Sequence, residues 1–153
     1  MRIYLDLCRL NRPFDDQGQD RVRLESDAVL AIQRRVQEGK DELVSSEVLE
    51  IESQANRDSE RRRKVQEAIG QATLRVEIAD ALRDRANRLG ALGFAGFDSL
   101  HIACAEAARA DVLLTTDDRF LRLAARYAEK LAIRVVNPVE WSRHDEDRTS
   151  DRE

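Results

Sequence analysis

The sequence predicts an α/β domain, a three-layer arrangement in which a mostly parallel sheet of four to five strands lies between helices. Three observations carry that prediction. Short apolar runs alternate with amphipathic stretches of about 10 to 18 residues, the pattern of strand–helix–strand units. The length, 153 residues, is that of one domain able to bury its own core. The composition, 42% hydrophobic and 37% charged with only 6 Gly and 2 Pro, excludes collagen-like, low-complexity and disulfide-scaffold classes.

Residues 2–7 (RIYLDL) form an apolar run interrupted by Asp6, which reads as a first strand and not as a signal peptide. Residues 42–45 (ELVS), 74–78 (LRVEI), 112–115 (VLLT) and 132–136 (AIRVV) have strand character of varying strength. Helical periodicity spans residues 20–38, 46–56, 59–72, 80–89, 97–109 and 118–130. Right-handed crossovers between parallel strands place these helices on both faces of the sheet. The Gly-rich stretch at residues 90–96 (GALGFAG) lacks any phosphate-cradling spacing and reads as a connection. Residues 142–153 (SRHDEDRTSDRE) contain no apolar side chain and are expected to be a disordered tail, leaving residues 1–141 as the domain. Cys8 and Cys104 are far apart and suit reduced thiols in a cytoplasmic protein. No apolar run approaches the ~18 residues of a membrane span. At a net charge of −4 the chain cannot hold a polyanion by its overall field, so a nucleic-acid role would need a local basic patch and bound cations.

Ligands of parallel sheets collect beyond the carboxyl ends of the strands, and acids stand there. Asp6 lies near the end of the first strand, where an Asp has no capping task. Asp117 and Asp118 follow the VLL strand directly, after Thr115 and Thr116. At about 100° per residue, Val48, Leu49, Ile51 and Ala55 share an apolar stripe, Glu47 and Glu50 fall outside it, and Glu52 falls within it. An inward Glu needs a salt-bridge partner, a route to the helix edge, or a cation. Asp98 opens an Ala-rich helix, and both it and Asp117 would also serve as ordinary N-caps. Four acids at one sheet edge repel one another unless a cation neutralises them. With His101 and His144 solitary and no CxxC spacing, an oxygen-only donor set suits Mg²⁺ or Mn²⁺ over Zn²⁺. Such a site fits metal-assisted hydrolysis of a phosphodiester.

At these residues the sequence resembles the PIN-domain nucleases, and among them the VapC-type toxins of bacterial toxin–antitoxin pairs. IYLDL, VSSEVLEIE and GFDSLHIACAEAARADVLLTTDDRF carry the resemblance, which covers most of residues 1–141. The resemblance implies that the catalytic acids are Asp6, Glu52, Asp98 and Asp117, with Asp6, Asp98 and Asp117 on the metal, Thr115 as a supporting hydroxyl and Asp118 as an assisting acid. It implies an endoribonuclease using Mg²⁺, for which Mn²⁺ substitutes, acting as a cytoplasmic homodimer and restrained by a small antitoxin. Arg9 and Arg12, just after the first strand, are candidate contacts to RNA phosphates, as are Arg119 and Arg122. The Arg61–Lys64 run reads equally as a solvated helix face beside Glu60 and Glu67. Two departures stand out. Leu7 and Cys8 replace the small polar residue and Asn that usually follow the first Asp, and Glu50 competes with Glu52 on alignment, although helical geometry favours Glu52. The Leu7–Cys8 departure leaves open a catalytically inactive PIN-like module that binds RNA or protein. A receiver domain would need a Lys at a late strand end, where Val135-Val136-Asn137-Pro138 stands. A haloacid-dehalogenase-like phosphatase would need DxD where Asp6-Leu7-Cys8 stands.

Overall fold

The computed structural model describes residues 1–6 and 20–150. Leu7, Cys8, Arg9, Asn11, Arg12 and the rest of that segment lie outside the described residues, as do residues 151–153. Five strands, β1 (Arg2–Leu5), β2 (Glu42–Ser46), β3 (Leu74–Val76), β4 (Val112–Leu114) and β5 (Arg134–Val136), form one sheet in the order β3-β2-β1-β4-β5. Every pairing is parallel, with Tyr4 opposite Val44 on one side and Leu113 on the other. β1 is therefore central, and the chain leaves it toward β2 on one side and reaches β4 on the other. That reversal opens a crevice at the carboxyl ends of β1 and β4, the place where ligands of open parallel sheets bind.

Alternation along the strands separates two cores. Ile3, Leu5, Leu43, Val112 and Leu114 pack on one face against Val29 and Ile32 of α1 (Asp20–Gln37), Val65 and Ala68 of α3 (Ser59–Ile69) and Trp141 of α7 (Pro138–Ser150). Tyr4, Val44 and Leu113 face the other way. They meet Val48 and Leu49 of α2 (Glu47–Gln54), Leu82 and Leu89 of α4 (Asp80–Gly90), Ile102–Ala105 of α5 (Gly96–Ala107) and Phe120 of α6 (Asp118–Arg126). No helix of the described residues is long and apolar enough to cross a membrane.

Two details differ from the sequence reading. Helix α6 stops at Arg126 and is followed by a 3-10 turn, Ala128–Lys130. Residues 142–150, expected to be disordered, continue helix α7. Asn137 starts that helix by accepting from the Val139 N–H at 2.8 Å, and Trp141 is buried in the core, so the costly first turn is anchored and extension is cheap.

Helices α1 and α5 end alike. Lys40 N–H reaches Arg35 C=O and Gly39 N–H reaches Val36 C=O, a Schellman closure with Gly39 at φ 75°. After α5, Ala110 N–H reaches Ala105 C=O and Arg109 N–H reaches Glu106 C=O, but the left-handed position is Arg109, at φ 53°. An L side chain is strained there. Replacing Arg109 by Gly is expected to raise unfolding free energy by about 0.5–1 kcal/mol in urea titration, because the relieved strain outweighs the added chain entropy.

Candidate metal centre

Asp6 follows β1 directly and is wholly buried. Its backbone N–H donates to Leu114 C=O at 2.9 Å, which continues the β1–β4 ladder and fixes the direction of the side chain. The Thr115 hydroxyl donates to Asp6 Oδ2 at 3.0 Å and accepts from the Asp117 N–H at 3.2 Å. One hydroxyl thus connects the first acid to the last across the β1–β4 crevice.

Asp117 fills its capping role. Its Oδ1 accepts from the backbone N–H groups of Arg119 and Phe120 at 2.9 and 3.2 Å, closing the first turn of α6. Asp98 does not cap α5. The N-cap position is Ala95, without a side-chain bond, and Asp98 sits inside the first turn, 6% exposed. Its charge acts on His101, one turn further along the same helix.

Glu50 and Glu52 have different neighbours. Glu50 forms a two-pronged pair with Arg75, at 2.7 and 2.8 Å, on the outside of β3. Glu52 turns inward and meets His101 Nε2 at 3.0 Å. The apolar stripe of α2 is narrower than expected, for Ile51 and Ala55 are exposed and the buried residues are Val48, Leu49 and Ser53. This eight-residue helix presents Val48, Leu49, Glu52 and Ser53 to the interior, the i, i+1, i+4, i+5 edge that faces α5.

His101 is the residue the sequence reading missed. Far from solitary, it is fully buried and joins Asp6 and Glu52 in a group whose ligand atoms all lie within 4.8 Å of one another, the one such group among the described residues. Asp98 and Asp117 stand outside that group. The signal available in the sequence was the i, i+3 spacing of Asp98 and His101 on one helix, which puts both on one face. Burial works to lower the His101 pKa, but the Glu52 hydrogen bond and the charges of Asp6, Glu52 and Asp98 outweigh it, and the imidazole is held above its ordinary value. Its other nitrogen, Nδ1, lies 2.7 Å from the Tyr4 hydroxyl, itself 2.7 Å from Ser46 Oγ. Ser46 caps α2 through the Leu49 N–H. The Cys104 thiol completes this buried row and is pushed up by desolvation to about 11, which keeps it protonated and unreactive.

The other sequence candidates sit elsewhere. Asp118 is half exposed and is held by Arg21 at 2.5 and 2.9 Å. In the basic run, Arg62 bonds to Asn56 C=O, while Arg61 faces Asp58 and Arg63 faces Glu67, as on a solvated helix face. Arg119 and Arg122 are exposed on α6.

A model of the PIN domain matches residues 22–126, more than half of the chain. The chain belongs to the PIN domain family. PIN domains are generally nucleases. The matched span includes Glu52, Asp98, His101, Thr115 and Asp117 but begins after Asp6. Among solved structures, this PIN domain is similar in fold to the crystal structure of FitAcB from Neisseria gonorrhoeae, with a TM-score of 0.53 at 15% identity over 89% of this chain and 97% of that one. It is also similar to VapBC2 from Rickettsia felis bound to a DNA fragment from their promoter, with a TM-score of 0.50 at 10% identity over 90% and 98% of the two chains. No curated protein matches the sequence.

The donor set fits a divalent cation. Two carboxylates converge on one buried point together with an imidazole nitrogen, and a positive charge there offsets their repulsion. Without metal, a proton on His101 supplies that charge. Because the folded pKa is raised, this stabilisation is complete below the ordinary histidine value of about 6.5 and is lost as pH rises through the folded value. In chelator, the urea midpoint of the protein is expected to fall across that window, and the same stretch of the profile should be flat in His101→Gln.

Proposed function

We propose that the protein is a metal-dependent endoribonuclease, the toxin of a toxin–antitoxin pair, that hydrolyses RNA phosphodiester bonds at the β1–β4 crevice. The observation that carries the reading is the convergence of Asp6, just after β1, and Glu52, from α2, on a single point beside Thr115. A bound Mg²⁺ or Mn²⁺ would supply a water of lowered pKa and a counter-charge for the developing phosphorane oxygens. Asp6, Glu52, Asp98 and Asp117 are the proposed catalytic acids. Asp6 is the fixed ligand, its orientation set by the Leu114 and Thr115 hydrogen bonds. Thr115 holds Asp6 Oδ2 and steadies the loop that presents Asp117. Asp98, buried at the start of α5, adds negative charge beside His101. Arg9 and Arg12 are proposed to grip phosphates next to the cut, and Asp118 assists only if its pairing with Arg21 opens.

The two structural neighbours come from systems named for paired proteins, which supports an antitoxin partner for this chain. A homodimer belongs to the same proposal. The exposed apolar residues Leu24, Leu30, Ile51 and Phe97 offer surface for such contacts. Burial of Asp6 and its hydrogen bond to Thr115 favour this reading over an inactive binding module, which has no need of a convergent acid pocket.

Asp6→Asn is expected to lower Mn²⁺-dependent cleavage of single-stranded RNA by at least about 100-fold while the far-UV spectrum stays unchanged. Glu50→Gln, on the outer face, should stay within about twofold of the parent. Equal activity of Asp6→Asn and the parent would overturn the assignment. RNA binding should weaken with salt, and Arg9→Ala and Arg12→Ala should each reduce the slope of log affinity against log salt by about 0.7, the value for one phosphate contact on a single strand.

A further inference from the structure

We propose that His101 is itself a metal ligand through Nε2, and that this nitrogen donor biases the centre toward Mn²⁺ over Mg²⁺. The inference rests on the nuclease reading of the same pocket and goes beyond the oxygen-only donor set read from the sequence.

The ring is fixed in place. Tyr4 lies tilted against it with centroids 5.6 Å apart, and Phe97 stacks on it at 6.4 Å and 27°. So held, the imidazole turns Nε2 to both carboxylates, 3.0 Å from Glu52 Oε2 and 3.8 Å from Asp6 Oδ1. Donor atoms about 2.1 Å from one ion lie about 3 Å apart when adjacent and about 4.2 Å apart when opposite, so the 3.0 Å separation is that of adjacent ligands, while the 3.8 Å one falls between the two values and within the span of a single ion.

The far side of the ring is already prepared. A metal-bound imidazole donates its other N–H to a fixed acceptor. Here Nδ1–H can donate to the Tyr4 oxygen, and Tyr4 O–H to Ser46 Oγ, which also accepts from the Leu49 N–H. With the ring proton on Nδ1, both Nδ1–H and the Tyr4 O–H have an acceptor, and Nε2 can present its lone pair to an ion that displaces the proton it shares with Glu52. Imidazole nitrogen binds first-row transition ions, a series that begins with Mn²⁺, whereas Mg²⁺ prefers oxygen and sheds its water reluctantly.

The test is pulsed EPR on the full chain loaded with Mn²⁺, paired with calorimetric titration of Mn²⁺ and Mg²⁺. The expected result is an imidazole ¹⁴N modulation that converts to ¹⁵N when histidine is isotopically labelled. His101→Gln should abolish it and lower the Mn²⁺-to-Mg²⁺ affinity ratio at least tenfold. The exposed His144 serves as a control: its replacement by Gln should change nothing. Should His101→Gln not fold, Tyr4→Phe keeps the imidazole and removes its acceptor, and a loss of about tenfold in Mn²⁺ affinity is expected. Mn²⁺ that binds, is lost in Asp6→Asn and shows no histidine nitrogen would overturn the role of His101 while leaving the nuclease reading intact. Failure of the parent to bind Mn²⁺, or binding indifferent to Asp6→Asn, would overturn both.

Discussion

A carboxylate buried at the end of the central strand is the constraint around which this protein is arranged. Asp6 is held in the sheet ladder by Leu114, so its side chain cannot retreat to solvent. An isolated buried charge costs several kcal/mol, even after its surroundings relax. The neighbouring residues are the response. Thr115 donates to one oxygen, His101 approaches the other, and the sheet order brings β4 to the position from which Thr115 can reach. With Leu or Val at position 6, the crevice would be an ordinary apolar strand end.

Charges outside the pocket have a different task. The Arg75–Glu50 and Arg21–Asp118 pairs are partly exposed, and pairs of that kind contribute about 0–1 kcal/mol. Their consequence is positional. They engage two acids that lie close in sequence to the functional candidates, Glu50 beside Glu52 and Asp118 beside Asp117, and turn them outward. Glu25 is a third case, buried and held by Arg21 and Asn137, so that it ties α1 to the corner between β5 and α7. At the crevice, Asp6 accepts from a hydroxyl, Glu52 meets an imidazole and Asp117 accepts from backbone N–H groups.

Much of this was legible in the chain. Strand and helix positions followed from apolar runs and periodicity, since β1, β2, β4 and β5 contain the Val, Ile and Leu clusters of a buried parallel sheet. The inward turn of Glu52 followed from helical geometry, because a rigid helix fixes angular position. What escaped was set by tertiary contacts. Ile51 looks like core by periodicity, yet α2 is too short for both edges to be covered. His101 was hidden because its partners, Tyr4 and Glu52, are 97 and 49 residues away, and no local pattern marks such a meeting. Helix α7 was hidden because charged residues gave no apolar stripe, while its start is anchored by the Asn137 cap and buried Trp141.

The hydrogen bond between Thr115 and Asp6 spans 109 positions of sequence. A ribosome that has translated through His101 has made Asp6, Glu52 and His101, but not β4, from whose end Thr115 reaches Asp6. Completion of the acid pocket therefore waits until β4 and Thr115 have left the exit tunnel, and a shorter polypeptide lacks the hydroxyl that holds Asp6 Oδ2.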